Sequence, residues 1–525
     1  MIERARWLGV LCFVLAIACG GNAPETEESV EDVTASSESA ERPSGVIVNE
    51  PGATPGYVLF TPLLSDTTYL VDNEGLVVHT WKSPYAPQAF VYLRDNGNLL
   101  RGARMESQIF QGGGAGGRLE EYTWDGELYW SFEFPPDERL THHDVEILPN
   151  GNILAIAWER KTADEALRAG RRPELVPEQG IWPGMVAELE PTPPEGAKIV
   201  WEWHMWDHLI QNRDESLPHY GDPAAQPHRI DINGDGAAPE IDDAELERLK
   251  ALGYVSEDTD TEDLSSDLLH INAVAYNEAL DQIALSAFRF SEIWILDHST
   301  TTEEASGSTG GRWGRGGDVL YRWGNPSAYG RHENTPQQLF SQHDVRWIRD
   351  GYPGAGHLTI FNNDVPGPEE PGEDEESQNH SVVVQIAPPV DGDGRYLVPE
   401  TETDPFGPSE PVWSYRSPDS PSFHSAFISG AHRLANGNTL ICEGDDARFF
   451  EVTPEGEIVW EYWSPYSGNV KMADGSPPHP VNEFSYASFR ATKILPNDPA
   501  LTGRDLTPLD PQPPAVEREP DEGDP

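Results

Sequence analysis

Residues Thr141–Ala157, THHDVEILPNGNILAIA, read as two short strands joined by an Asn-Gly turn, with a polar cluster at the entry to the first strand. The same pattern returns along most of the chain. It appears as AFVYLRDNGNLL from Ala89, HINAVAYNEALDQIAL from His270, HDVRWIRDGYPGAGHLTIF from His343, SGAHRLANGNTLICE from Ser429 and FRATKILPND from Phe489. With the turns aligned, the position before the first strand holds Ala89, His143, His270, His343, Ser429 and Arg490. Three histidines and an arginine thus share one register position.

A second element alternates with these hairpins: a turn followed by a strand that ends in Trp or another aromatic. The copies are DNEGLVVHTW (72–81), WDGELYWSF (124–132), PEGAKIVWEW (194–203), GGDVLYRWGNP (316–326), PSEPVWSY (408–415) and PEGEIVWEYW (454–463). Each hairpin, often with a third strand such as MVAELEP or RFFEVTP, then makes a four-stranded unit with one such closing strand. Six closing strands predict an all-β fold, a six-bladed β-propeller over 46–503. The last copy, FRATKILPND, has no blade after it, and the first unit, from GYVLFTPL, lacks an innermost strand. The C-terminal strand is therefore expected to complete the first blade and close the ring, which removes exposed sheet edges.

The ends and insertions differ in composition. Arg4 and Arg6 precede an apolar run, Trp7–Ala18, that is too short to span a bilayer as a mature helix and ends in LAIAC at Cys19. Residues 1–19 resemble a lipoprotein signal with Cys19 as the lipidated residue and a membrane tether through acyl chains, or else a plain secretory signal cut after Ala18; both imply export to the periplasm or cell surface. Residues 20–45 form an acidic, flexible linker, and 504–525 an acidic, Pro-rich tail. With Cys12 and Cys19 in the signal, Cys442 stands alone in the mature chain and reads as a small core residue. Irregular insertions cover 160–190 and 204–265, and 364–380 reads as an acidic loop. In Ile241–Tyr254 the leucines recur at helical spacing, so a surface helix against a blade edge is expected. The 90 acidic residues against 35 basic give a net charge of −55, which argues against nucleic acid and anionic membrane surfaces as partners.

In a propeller the innermost strands line a central channel, so His143, His270, His343 and Arg490 are expected to converge at one depth as a catalytic group. His142, Gln342 and His424 lie nearby as candidate substrate-binding residues, and Asp144 and Asp344 follow two of the histidines. Arginine offers planar donors to a tetrahedral anion, and histidine offers a nucleophile or an acid–base near neutral pH. Sulfuryl transfer uses these parts. A three-histidine metal site, a metal-dependent or quinoprotein-like enzyme and a non-catalytic ligand-binding propeller use them too. Separately, Asp231, Asn233, Asp235 and Asp242 in DINGDGAAPEID match part of a calcium loop, so a structural Ca2+ is a candidate there.

The order HHDVEILPNGNIL, LLHINAVAYN, QHDVRWI and FISGAHRLANGNTLICEGDDARFFEVTPEGEIVWEY resembles the bacterial arylsulfotransferase family over about residues 50–500. The resemblance implies a six-bladed, exported propeller that moves sulfuryl groups from a phenolic sulfate ester to another phenol. It implies a sulfated histidine, with neither a nucleotide sulfate donor nor any other cofactor. It implies roles for His270, His343 and Arg490. Two residues before Arg490, where the family's best-characterised branch carries its nucleophilic histidine, this chain has Ser488, and FNND (361–364) leads into Val365 where that branch has an arginine.

Overall fold

The computed structural model describes residues 42–515 apart from 64, 236–245, 248, 251–254, 256–258, 333–334, 368–378, 400, 402, 419–422 and 469–485. The signal segment with Cys19, most of the linker, Asp242, most of the acidic loop and the last ten residues of the tail lie outside the described residues.

Short runs of β-branched and aromatic residues, broken by Gly and Asx turns, pair only with their neighbours, and the result is six four-stranded antiparallel blades. The innermost strands are Ser488–Ile494, Pro87–Leu93, Arg139–Ile147, Ile271–Asn277, His343–Trp347 and Ser429–Arg433, for blades one to six. Blade one is closed as expected: Ser488–Ile494 pairs with Tyr57–Pro62, in register from Tyr57 opposite Ile494 to Phe60 opposite Ala491. An additional strand, Gly45–Asn49, pairs with Ile458–Trp463 as a fifth strand on the outside of blade six. The described part of the tail runs beside the outer strand of blade one, where the Leu509 amide donates to the Val77 carbonyl at 2.9 Å.

The recurring tryptophans have a structural purpose that their spacing hinted at. In blade after blade, the indole N–H of the closing strand donates to a backbone carbonyl at the turn that opens the next blade's closing strand. Trp81 reaches Thr123 at 3.2 Å, Trp130 reaches Gly196 at 2.7 Å and Trp203 reaches Gly317 at 2.8 Å. Trp323 reaches Pro408 at 2.8 Å, Trp413 reaches Pro454 at 2.8 Å and Trp460 reaches Asn73 at 2.9 Å, which brings the series back to blade one. Each ring fills the space between two blades while its single polar atom satisfies a turn carbonyl.

The insertions occupy one end of the ring. The helical Leu246 and Leu249 pack not on a blade edge but in one buried cluster with Ala89, Ile428 and Phe489, at the entries of three innermost strands. The leucine face expected against a blade edge therefore has a different partner: the apolar entries of blades one, two and six. Cys442 is buried, as a core residue should be, and burial pushes its thiol up.

Two outcomes test this architecture. Trp130→Phe, which keeps the ring's bulk and leaves the Gly196 carbonyl with only the Thr192 amide, should cost about 0.5–1.5 kcal/mol in urea unfolding; an unchanged midpoint would show that the indole bonds are incidental. A chain ending at residue 487 should aggregate, because the inner edge of blade one is left unpaired. A soluble monomer of that chain would mean that ring closure is dispensable.

Candidate active site

The entries of the innermost strands are irregular in a shared way. Pairing slips by a bulge at this point in five of the six blades. His143 (φ 55°), His270 (φ 49°), Asp344 (φ 55°) and Ile428 (φ 42°) adopt left-handed backbone there. Such conformations cost roughly 1–3 kcal/mol each in non-glycine residues and gather at functional sites. Their effect is to turn successive side chains into two layers.

The upper layer holds the histidines. The His143 and His270 rings lie 4.4 Å apart, centroid to centroid. Phe288 lies 4.9 Å from His270 and 5.5 Å from His343, and Phe489 lies 5.9 Å from His143 and 6.2 Å from His343. The three sequence-assigned histidines are thus brought together around two phenylalanines.

Each imidazole has a different partner. His343 Nδ1 is 3.0 Å from Asn363 Oδ1 and 3.2 Å from the Ser341 carbonyl. The Asn363 amide nitrogen donates to the Ser425 carbonyl at 2.7 Å and to Ser429 Oγ at 3.1 Å, so its oxygen faces the imidazole. Both neighbours of Nδ1 are acceptors, which puts the proton on Nδ1 and the lone pair on Nε2. That Nε2 is buried with no hydrogen-bond partner among the described residues. Burial, reinforced by the nearby His270 and Arg490, pushes His343 down to about 3, so the ring is neutral at physiological pH.

His270 is built differently. Its Nδ1 lies 2.5 Å from Asp267 Oδ2, while Asp267 Oδ1 accepts the His270 amide and the Trp158 indole, both at 3.0 Å. Burial alone would raise the Asp267 carboxyl, but the His270 ring outweighs it and holds the carboxyl below its ordinary value. His143 is fully buried, with Nδ1 2.7 Å from Nδ1 of His142, which stacks on Trp158 at 4.1 Å. Burial lowers both, His142 to about 3. Gly114 lies against the His143 ring, where a Cβ would fall 2.4 Å from Nε2.

The lower layer holds the charges. Arg490 does not lie at the depth of the histidines. Its guanidinium sits between Asp144 at 2.8 Å and Asp344 at 2.9 Å, and burial is outweighed by these carboxylates, which raise its pKa. Arg346 joins the same carboxylates, at 2.7 Å from Asp144 and 2.8 Å from Asp344.

A cavity of about 1060 Å³ opens above the histidine layer on the side of blades four and five. His270, His343, Asp267, Phe288, Arg289 and Phe427 line its inner end, and Arg172, Asp231, Asn233 and Asp235 from the insertions line its outer end. Of the candidate substrate-binding residues, none lines it. Gln342 is fully buried and donates to the Glu292 carbonyl at 2.9 Å, and His142 is sealed behind His143. His424 lies beside the cavity, 3.1 Å from the lining residue Asp364. Ser488 is also fully buried.

In the calcium-loop motif, the Asp235 carboxylate faces Arg171, 2.5 Å from Nη1 and 2.6 Å from Nη2, and Asn233 accepts from the Arg172 amide at 2.9 Å. A cation at this loop would have to displace a buried guanidinium. No cluster of three or more metal-ligating side chains occurs among the described residues.

Four contributors escaped the sequence reading. Asp267 lies three residues before His270, Asn363 sits in FNND, and Phe288 and Arg289 follow the second strand of blade four. The Asp-to-His spacing and the polar pair ending a strand were the available signals.

Solved structures of similar shape include a Bacteroides caccae protein of unknown function, with 11% identity, a TM-score of 0.39 and 78% of this chain covering 94% of that one. The Pseudomonas aeruginosa periplasmic gluconolactonase has 11% identity, a TM-score of 0.36 and coverage of 78% and 96%. Virginiamycin B lyase from Staphylococcus aureus has 11% identity, a TM-score of 0.32 and coverage of 82% and 86%. No curated protein matches the chain. The arylsulfotransferase (ASST) family model matches residues 61–462, from the first blade into the closing strand of the sixth, and the chain belongs to this family.

Proposed function

We propose that this protein transfers a sulfuryl group from a phenolic sulfate ester to a phenol through a sulfated histidine, with His343 as the nucleophile. The observation that carries the choice is the His343 ring itself: neutral, held through Nδ1, with the Nε2 lone pair unpartnered at the inner end of the cavity. A neutral imidazole needs no prior deprotonation to attack.

In the first half-reaction His343 Nε2 bonds to sulfur and the bond from sulfur to the phenolic oxygen breaks. His270 donates a proton from Nε2 to the departing phenolate, and Asp267 on Nδ1 balances the ring. In the second half, His270 takes the acceptor's hydroxyl proton, the acceptor oxygen bonds to sulfur, and the bond between sulfur and nitrogen breaks. Atoms and charge balance without a nucleotide donor or a cofactor. His143, 4.4 Å from His270, fixes the position of that ring. Arg490, with its charge matched by Asp144 and Asp344, anchors the layer below. Phe288 and Phe427 give the phenolic rings an apolar, aromatic wall. On this reading the enzyme works outside the cytoplasm, tethered through Cys19, and analysis of the mature N-terminus for acyl chains tests that placement.

Turnover of a chromogenic aryl sulfate with phenol as acceptor should follow ping-pong kinetics. His343→Ala should reduce it to background and His270→Gln by about 10²–10⁴-fold. Full activity of the His343→Ala protein would remove the nucleophile assignment, and a well-folded native protein without turnover would leave a binding propeller.

A stability measurement tests the neutral rings independently. His343 and His142 titrate near 3 when folded and near 6.5 when unfolded, so between these values the unfolded chain binds more protons. Their contribution is therefore complete above pH 6.5 and is lost as pH falls towards 3. The urea midpoint should drop through that window, and His343→Gln should flatten the drop; an equally steep profile in the variant would mean that His343 is not held neutral.

A further inference from the structure

The proposed reaction leaves one requirement unmet: a sulfate ester is an anion, and it must be held in a protein of net charge −55. The arginine expected to hold it, Arg490, is 3% exposed and clamped by two carboxylates beneath the histidines. A guanidinium already neutralised in that way offers little field to a third anion.

Two other arginines line the cavity, Arg172 and Arg289. Arg172 belongs to the outer end, where its backbone is tied to Asn233 and its charge acts on Asp231. Arg289 belongs to the inner end. It lies on the short turn Phe288–Phe290, whose Phe288 amide donates to the His270 carbonyl and whose Arg289 amide donates to the Leu269 carbonyl, both at 3.3 Å. The Arg289 side chain therefore starts next to the His270 backbone. Its immediate neighbour Phe288 is the ring between His270 and His343.

The surroundings of Arg289 also differ from those of Arg490. Among the described residues its guanidinium makes one hydrogen bond, from Nη2 to the neutral Leu264 carbonyl at 2.7 Å, and no ion pair. The nearby acid, Asp267, is engaged by its own bond to His270, and the Arg289 charge acts on it only through space. Arg289 thus has no carboxylate in direct contact among the described residues and keeps spare N–H donors on the wall shared by both histidines.

We propose that Arg289 is the residue that binds the non-bridging oxygens of the sulfuryl group, in the ground state and as charge shifts during transfer. This inference rests on the sulfuryl-transfer reading for its ligand, and it assigns the anion site to blade four instead of the closing strand. The fork of donors suits a tetrahedral anion, and no proton is gained or lost by arginine over the working range.

The test uses the full chain and inorganic sulfate as the probe, with binding followed by calorimetry and turnover of a chromogenic aryl sulfate followed in parallel. Arg289→Gln should weaken sulfate binding and raise the KM for the aryl sulfate on the order of 10–10²-fold, the loss expected for hydrogen bonds to a charged group. Arg289→Lys, which keeps the charge and loses the fork, should fall between the two and guards against a fold defect in the first variant. Unchanged sulfate affinity in both variants would overturn the assignment. Sulfate binding that depends on Arg289 in a protein without aryl sulfate turnover would support the anion site while overturning the enzymatic reading. A native chain that turns over the aryl sulfate but binds no sulfate would overturn the anion site alone, and one that does neither would overturn both.

Discussion

Two carboxylates and two guanidiniums share the axis of this propeller, and the rest of the site is arranged around them. Asp144 comes from blade three, Asp344 and Arg346 from blade five and Arg490 from blade one. Blade two adds the Tyr92 hydroxyl, 2.7 Å from Asp144, blade four the Val274 carbonyl, 3.0 Å from Arg346, and blade six His432, 3.0 Å from Asp344. Every blade therefore has a polar stake in one buried network. Desolvating four charges is costly, and such a network is weak evidence for stability. Its geometry is demanding, however, because removing any member leaves an unmatched charge at a position closed to water. It therefore specifies how the six innermost strands are set against one another.

That constraint also explains why the reactive groups stand where they do. In HD pairs, one residue is aimed down to the charge network and its neighbour is aimed up to the cavity. His143 precedes Asp144, and His343 precedes Asp344. A regular strand would send adjacent side chains to opposite faces of the sheet, towards the two flanking blades. The bulge and the left-handed residue at each entry rotate both towards the axis at different heights. The strain is borne by the carboxylates, which are fixed below. The histidines above inherit a defined, buried position, and that burial is what holds them neutral.

The fold was largely legible in the sequence because it depends on repetition. Asn-Gly turns, alternating apolar strands and a Trp in each closing strand are local signals, and a phase shared by six copies is hard to produce by any other architecture. Ring closure followed from an unpaired strand at each end of the repeat. The site was legible only in part. Aligning the turns placed His143, His270, His343 and Arg490 at one position, and the backbone does bring all four to the axis. Depth was not readable, since it depends on bulges and on the length of the side chain, and Arg490 lies one layer lower than its alignment implied. Asp267 and Asn363, which orient His270 and His343, come from outside the aligned hairpin starts, so no in-phase comparison could reveal them. The Leu246 and Leu249 segment shows the same limit: helical spacing identifies an apolar face but not the surface that covers it.

The acidity of the chain and the anionic chemistry of its family are reconciled by where charge is cancelled. Along the axis, Asp144 and Asp344 are matched by Arg346 and Arg490, and at the cavity Asp267 lies against the His270 ring and within the field of Arg289. With His143 and His343 uncharged, little net field opposes an incoming anion at the inner end of the cavity, although the surface as a whole repels one. A site of this kind cannot rely on long-range attraction to gather its substrate. Recognition at the inner end must then rest on short-range contact with its aromatic walls and fixed donors. Polar donors fixed in advance need no reorganisation when a ligand's charge shifts, which is the condition under which electrostatic stabilisation is most effective. An axis fixed by buried ion pairs supplies that condition to the histidine layer above it.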